Sequence, residues 1–422
     1  MSVIKMRKSH FHQAVFHSDK PVLVEFSAPW CVYCRRLGPV FADIAEEYRN
    51  TLVCGIVDID EEPELAQSQG IEVVPTLRIY QKGKVLGSVA APESKAQLAA
   101  FLEETLGRRE GETGFAEHIY DMIVVGGGPG GYTAALYATR EGLDTVVLEK
   151  LSAGGQMALS QQIDNYPGFE DGIDGFTLGQ KMKRGAERFG VETKQTEVLA
   201  LDLSGSVKKA MTGKGALYGR TIVVATGANP KELGVPGEQA LVGSGVHYCA
   251  SCDGVFYRGK TVVVVGGGNT AAADARILSR FCKKVILVHR RDTLKATRIY
   301  HEPLQKAENV EFCWNSEIIG LLYEEKITGI RVRNVKTGGE STLACDGVFV
   351  SIGRKPASEL VKGQMALDSA GYIIADESTR TTIPGVFAVG DVRTKALRQV
   401  VTAVADGATA VHYAQEYLTE GV

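Results

Sequence analysis

Residues 121–150 read DMIVVGGGPGGYTAALYATREGLDTVVLEK. Asp121–Val125 is apolar after its first residue, without alternation, as a strand covered on both faces must be. Gly126, Gly128 and Gly131 then fit GxGxxG, a helix is predicted from Tyr132 to about Glu141, and Val146–Glu149 makes the next strand. Glycines at that spacing permit a tight turn, a close approach of backbone to a pyrophosphate, and close packing of helix on strand. The helix N-terminus turns its partial positive charge toward the phosphates. Glu149 stands 23 residues beyond Gly126 at a strand end, which suits a bond to a ribose hydroxyl. GxGxxG alone is a weak signal; strand, loop, helix, strand and acid in that order predict a dinucleotide site.

The pattern recurs. Thr261–Val265 is a strand, Gly266–Gly268 a loop, Thr270–Ser279 a helix and Val285–Val288 a strand, with Gly266, Gly268 and Ala271 in the GxGxxA form. The position 23 residues beyond Gly266 is now His289, followed by Arg290 and Arg291. An acid there would repel a 2′-phosphate, whereas arginines bind it through charge-assisted bonds. The second unit is therefore expected to take NADPH, with Lys295 as a further cation, and the first to take FAD. Two strand-end loops add to the flavin reading. Ala225-Thr226-Gly227 follows the apolar Thr221–Val224, and Gly390-Asp391 closes GVFAVGD, where the aspartate can accept a bond from a ribityl hydroxyl.

Two Cys-x-x-Cys pairs complete the inventory. Cys31 and Cys34 lie in WCVYC after the apolar PVLVEF, and Cys249 and Cys252 lie in CASCDG between the two nucleotide units. Two dithiols and two dinucleotide sites in one chain read as an electron relay. A zinc ribbon spaces its pairs about 15–20 residues apart; these are 214 residues apart, and no metal is expected. Cys31 sits at a strand-to-helix junction, where the helix N-terminus stabilises a thiolate and makes it the attacking sulfur. Cys34, one turn on, resolves the mixed disulfide. Asp253, beside the second pair, is the candidate proton donor and acceptor, against the plainer reading of a turn residue in Cys-Asp-Gly. Cys54, Cys282, Cys313 and Cys345 are expected to be buried small hydrophobes.

A chain of 422 residues has room for about three domains. Residues 1–107 alternate strand and helix: Val22–Phe26, Leu52–Ile59, Pro75–Tyr80 and Val85–Val89 as strands, Cys34–Arg49 and Lys95–Leu106 as helices. The charged, glycine-rich stretch that follows has no periodicity and reads as a linker, placed at 108–117. Hydrophobic residues make up 44% and net charge is −3, which argues against nucleic acid or a membrane surface as partner. No apolar run approaches the roughly 20 residues of a membrane span. The start MSVIKMRKSHFH lacks a signal-peptide core, and eight cysteines are too few for a disulfide scaffold, so a cytoplasmic protein is expected.

From about residue 117 onward the chain resembles the low-molecular-weight, bacterial-type thioredoxin reductases, through GGGPGGYTAALYA, ATGANP, CASCDG, VVGGGNTA, HRRD, PGVFAVGDV and RQVVTA in that order. Residues 1–107 resemble thioredoxin, through WCVYC, the strand before it and Val73–Thr76. The resemblance implies an α/β protein: a thioredoxin fold at 1–107, then a flavoprotein reductase with two Rossmann-like domains. FAD would be bound by 118–230 and 355–422, and NADPH by an inserted domain, 231–354, that carries the reductase dithiol. It also implies a homodimer and a rotation of the inserted domain. Pro129, Gly155 and Gln156 join the flavin set by resemblance, with Arg398 and Gln399 near the ring; Asn269 and Thr270 join the NADPH set. Cys252 becomes the sulfur nearer the flavin and Cys249 the interchange thiol. Electrons would pass from NADPH through FAD, Cys249/Cys252 and Cys31/Cys34 to disulfides of client proteins.

Three departures mark the thioredoxin-like part. Val32-Tyr33 replaces Gly-Pro between the cysteines, which predicts a less reducing dithiol. Glu25 stands for the usual buried aspartate, as a candidate base for Cys34, and Ile56 stands where many thioredoxins have a lysine. Pro75 resembles the cis-proline that faces the dithiol in this fold. Two other readings remain at this point: a peroxiredoxin reductase of the alkyl hydroperoxide reductase flavoprotein type, which has two thioredoxin folds ahead of the reductase, and an N-terminal unit that serves as a client-docking module.

Overall fold

Apolar strands with helices laid on both faces build the N-terminal region of the computed structural model, which describes residues 3–107, 118–160, 162–324 and 326–419. The order is β1 (Val3–Lys5), α1 (Lys8–His17), β2 (Val22–Ser27), α2 (Val32–Glu47), β3 (Val53–Asp58), α3 (Pro63–Ser68), β4 (Thr76–Gln81), β5 (Lys84–Ala90) and α4 (Lys95–Leu106). Five strands pair as β1-β3-β2-β4-β5, with β1, β3 and β2 parallel and β4 and β5 antiparallel. The central strand β2 is buried along Val22–Phe26, as its unalternating sequence requires. Helix α2 begins at Val32, two residues before the expected Cys34, because the Cys31 sulfur accepts the Cys34 N–H at 3.1 Å and caps the first turn. The linker expected at 108–117 lies outside the described residues.

The first glycine unit follows as β6 (Ile119–Val125), α5 (Pro129–Arg140) and β7 (Thr145–Glu149), then α6 (Gly175–Glu187), β8 (Glu192–Gln195), β9 (Val198–Asp202), β10 (Lys208–Thr212) and β11 (Gly215–Val224). Helix α5 starts at Pro129 rather than at Tyr132. Proline at the first helical position forfeits an N–H that would be unpaired there anyway.

Next come β12 (Ala228–Pro230), β13 (Val246–His247), α7 (Ala250–Asp253), β14 (Thr261–Val265), α8 (Asn269–Leu278), β15 (Lys284–His289), α9 (His301–Gln305) and β16 (Val310–Trp314). They are followed by β17 (Ser316–Tyr323), β18 (Ile327–Asn334), β19 (Glu340–Ala344), β20 (Gly347–Val350) and β21 (Arg354–Pro356), and the chain returns through β22 (Val386–Ala388) to α10 (Val400–Thr419).

The chain divides into two compact units. One comprises Met1–Ala158, Phe176–Gly227 and Pro356–Val422, the other Leu159–Gly175 and Ala228–Lys355. In the first, a seven-stranded sheet runs β8-β7-β6-β11-β10-β9 with β22 added parallel to β11. In the second, a parallel sheet runs β13-β20-β14-β15-β16, beside the antiparallel β17-β18-β19. Each of these sheets carries one glycine loop at the carboxyl end of an interior parallel strand, β6 or β14, where open α/β sheets bind ligands. Among the described residues no helix is long and apolar enough to cross a membrane.

Candidate active site

The first glycine loop is held by backbone that leaves no room for side chains. A Cβ at Gly126 would fall 2.5 Å from the Ala225 carbonyl oxygen, and one at Gly131 would fall 2.0 Å from that of Gly126. A Cβ at Gly128 would meet nothing within 4 Å, which is the open approach that a pyrophosphate requires. Glu149 is buried at the end of β7, and its carboxylate accepts the N–H groups of Gly127 (2.7 Å) and Leu151 (2.9 Å). The chain after β7 folds back on the loop: the Gly154 N–H bonds the Gly127 carbonyl at 2.8 Å, and Gly155 comes to rest against Gly128. Gln156 therefore starts beside the loop. A cavity of about 340 Å³ adjoins Glu149, walled by Tyr132, Leu151, Ser152 and Thr196 together with Pro39, Asp43 and Lys95 of the N-terminal region. Thr226 ties the neighbouring strand end to Ala357 by a 2.6 Å bond.

In the same unit, Gly390 has φ +73° and donates its N–H to Asp406 of α10 at 2.8 Å. The Asp406 carboxylate also takes Arg393 Nε at 2.9 Å and Lys395 Nζ at 2.7 Å. Burial would raise its pKa, but the bonds from Arg393 and Lys395 outweigh that and hold it below the usual carboxylate value. This three-residue ion cluster fixes the Gly390-Asp391 loop, and sequence reasoning missed it. Arg398 lies 4.0 Å from the Tyr372 ring centroid and donates to the Asp391 and Arg393 carbonyls, which places it and Gln399 next to the same loop.

The second loop repeats the geometry with a different occupant at the strand end. Gly266 has φ +140° and is closed off by the Ser351 carbonyl; Gly268 is open. His289 lies flat against Gly267, where a Cβ would fall 2.2 Å from the ring. Burial, then the charges of Arg291 and Arg290, push the imidazole pKa down, so the ring is a neutral wall. Arg290, Arg291 and Lys295 are exposed around it, three cations at the one strand end where the first unit has its acid. The Lys295 N–H bonds the Gly267 carbonyl at 2.7 Å, and Asn269 at the head of α8 accepts the Thr297 N–H at 2.8 Å. Thr270 follows it in the first turn.

Both Cys-x-x-Cys pairs are disulfides with Cα atoms 5.3 Å apart. Cys31 and Cys34 are buried, and the Cys31 sulfur faces the Val74 carbonyl oxygen at 3.6 Å, across a cis Val74–Pro75 bond. Trp30 beside them is exposed, with its indole N–H on Asp60. Glu25 is buried in β2 with Ile56 directly across the sheet. Burial pushes its carboxyl up to about 8 against a hydrogen bond from Ser27, and one carboxyl oxygen has no partner. In the second unit, Cys249 just ahead of α7 and Cys252 on it are partly exposed, and Asp253 pairs with His247 at 3.0 Å. His247 and its other partner Tyr257 were not singled out by sequence. Of the free cysteines, Cys54, Cys282 and Cys345 are buried, their thiols pushed up by burial to about 12, 11 and 12; Cys313 departs from the expectation and is partly exposed. Among the described residues no group of His, Cys, Asp and Glu could hold a metal ion.

The chain matches two family models: pyridine nucleotide-disulphide oxidoreductase over residues 120–407 and thioredoxin over residues 2–104. It is 43% identical over 303 residues to a thioredoxin reductase of Streptomyces clavuligerus, an alignment that covers 71% of this chain and 94% of that protein. It is 40% identical over 306 residues to a bifunctional thioredoxin reductase/thioredoxin of Mycobacterium leprae, covering 72% of this chain and 67% of the relative. The crystal structure of thioredoxin reductase from Streptococcus pyogenes superimposes with a TM-score of 0.69 at 42% identity, covering 72% of this chain and all of that one.

Proposed function

Because the chain belongs to the pyridine nucleotide-disulphide oxidoreductases, within them to the thioredoxin reductases, and carries a thioredoxin domain ahead of the reductase, we propose that it is a self-contained NADPH-driven dithiol relay. The observation that carries this reading is the contrast at two matched strand ends: a buried acid, Glu149, at one, and a neutral imidazole ringed by Arg290, Arg291 and Lys295 at the other. That contrast supports FAD in the first unit and NADPH in the second.

In this reading the open Gly128 and the N-terminus of α5 receive the flavin pyrophosphate, Glu149 the adenosine ribose and Asp391 the ribityl chain. Gly268 and the N-terminus of α8 receive the nicotinamide pyrophosphate, and the arginines its 2′-phosphate. A bound flavin supplies the passage of two electrons from a nicotinamide to a disulfide.

The chain's own sulfurs do the rest. With Cys249 and Cys252 reduced, the Cys249 thiolate attacks the Cys31–Cys34 disulfide. A Cys249–Cys31 bond forms, and Cys34 leaves as a thiolate that takes up a proton. Cys252 then attacks Cys249, restores the Cys249–Cys252 disulfide and releases Cys31 as a thiolate. Two electrons have moved and no bond is left over. Asp253 beside the first pair and Glu25 beneath the second are the proton-holding groups. Reduced Cys31 attacks client disulfides in the same way. A cytoplasmic homodimer is part of this proposal.

The test is NADPH consumption with insulin disulfide as sole acceptor and no added thioredoxin. The proposal expects turnover, lost in Cys31→Ser while ferricyanide reduction continues. A Cys31→Ser protein that still reduces insulin would make the N-terminal unit a docking module instead.

A further inference from the structure

His247 lies inside the second unit at the end of β13, 5% exposed, and both of its ring nitrogens are engaged. Nδ1 is 3.0 Å from Asp253 Oδ2, and Nε2 is 2.7 Å from the Tyr257 hydroxyl. Phe349 stacks on the ring with centroids 5.2 Å apart, and Tyr257 meets it edge-on at 5.1 Å. The imidazole is thus stacked on one face, met at its edge and held at both nitrogens, six residues from the carboxylate that follows Cys252 in sequence.

The chemistry of that clamp is specific. Burial, together with the nearby Asp253, Asp346 and Cys345, pushes the Tyr257 phenol above its ordinary pKa, so its hydroxyl keeps a proton to donate. While Tyr257 donates to Nε2, Nδ1 carries the ring proton and donates to an ionised Asp253. When Asp253 is protonated, the imidazole changes tautomer: the acid donates to Nδ1, and Nε2–H turns to the Tyr257 oxygen. A lysine, an arginine or a backbone N–H could serve only the ionised form. Histidine serves both, because each ring nitrogen keeps a bond in either tautomer while the Tyr257 oxygen changes from donor to acceptor.

We propose that His247 is the positioning residue of the reductase dithiol: it holds the Asp253 carboxyl in one orientation through both of its protonation states, with Tyr257 as the lock on the far nitrogen. The inference rests on the role given to Asp253 above. The charged and titratable groups around the trio are Lys260, over the Tyr257 ring at 5.2 Å, then Asp346 and Cys345 near the phenol, and Cys249 and Cys252 at the start of α7 and within it. Histidine acts here through Asp253 and touches no reacting atom.

The experiment uses the full chain with Glu25 retained, so that the ionisation of the other dithiol's carboxyl is common to every profile compared. The pH dependence of NADPH-driven insulin reduction is measured for His247, His247→Phe, His247→Gln and Tyr257→Phe. Removing the donor from a carboxylate disfavours its charged form, so His247→Phe should move the limiting ionisation to higher pH by about one to two units. His247→Gln, whose amide can donate or accept, should recover most of the wild-type profile. Tyr257→Phe keeps the ring volume and should give a smaller shift of the same sign. Ferricyanide, which draws electrons ahead of the dithiol, reports folding and nucleotide use in each protein; if His247→Phe fails that control, Tyr257→Phe decides. Profiles that superimpose on the parent after scaling overturn the proposal. A parent protein that oxidises no NADPH with ferricyanide overturns the functional reading instead.

Discussion

Gly407 of α10 lies against the backbone of α5, where a Cβ built on it would fall 2.4 Å from the carbonyl oxygen of Gly130. The contact is reciprocal, since a Cβ on Gly130 would fall 3.0 Å from the Ala403 carbonyl oxygen. Two helices that touch through bare backbone cannot admit a side chain without one of them moving. The first turn of α5 is the cradle assigned to the flavin pyrophosphate, so Gly407→Val should shift that cradle. Overpacking of this kind costs about 1–3 kcal/mol. The expected result is a lowered Tm and a lower ratio of flavin to protein absorbance after purification. Gly185→Ala, on α6 with nothing within 4 Å of its Cβ, is the control and should keep the flavin ratio with no fall in Tm.

The parts legible from sequence are those where sterics leave one solution. Gly126 and Gly266 must take positive φ, the strands before them are covered on both faces, and the residue at the next strand end declares its charge. What escaped notice depends on partners that no local period reveals. Asp406 is an ordinary polar residue on a helix until the fold brings Arg393 and Lys395 onto it. His247 reads as a strand residue until Asp253 and Tyr257 close on its two nitrogens. The missed α1 buries only Phe11 and Val15, too few apolar positions to show a helical face, and α3 spans six residues. Residues 32–33 precede the helix expected from Cys34, because the sulfur cap that starts α2 at Val32 is a bond that no propensity encodes.

Glu25 makes the stability of the N-terminal unit fall with pH. Its folded carboxyl titrates at about 8, against about 4.3 for an exposed glutamate. The folded state therefore holds a proton that the unfolded state has lost between these values. The stabilising effect of the neutral acid is fully present below about pH 4 and is lost as pH rises through about 8. Thermal unfolding followed by Trp30 fluorescence should show Tm declining between about pH 5 and 9. Glu25→Gln should flatten that slope and keep its Tm at the alkaline end. A parent protein whose Tm rises across that range would contradict the burial argument.

Arg290 and Arg291 should set the choice of nicotinamide. Each charge-assisted bond to a phosphate contributes about 1.5–3 kcal/mol, equivalent to roughly a 10- to 100-fold change in binding. Replacing both by serine should raise KM for NADPH by at least that factor with little change for NADH, and the loss should shrink at high salt because both side chains are exposed. His289→Ala should act differently. The ring packs on Gly267 and carries no charge to offer a phosphate, so NADPH and NADH binding should weaken together. Parallel KM measurements for the two nucleotides separate these outcomes.

Fusion changes the kinetics of the thiol step more than its chemistry. Two dithiols carried on one chain meet at an effective concentration on the order of 1 mM, far above any assay concentration of enzyme. Reduction of Cys31–Cys34 is then an intramolecular event. Specific activity against insulin should stay constant over about a hundred-fold dilution, whereas a mixture of the reductase with a separately expressed N-terminal domain should lose activity in proportion. Val32-Tyr33 bears on the same step from the side of driving force. If the dithiol is less reducing than the about −270 mV of ordinary thioredoxins, electrons flow onto it readily and client reduction becomes slow. Restoring Gly-Pro between the cysteines should lower the potential and shift the steady state toward a more oxidised N-terminal dithiol, which thiol labelling during turnover would count directly.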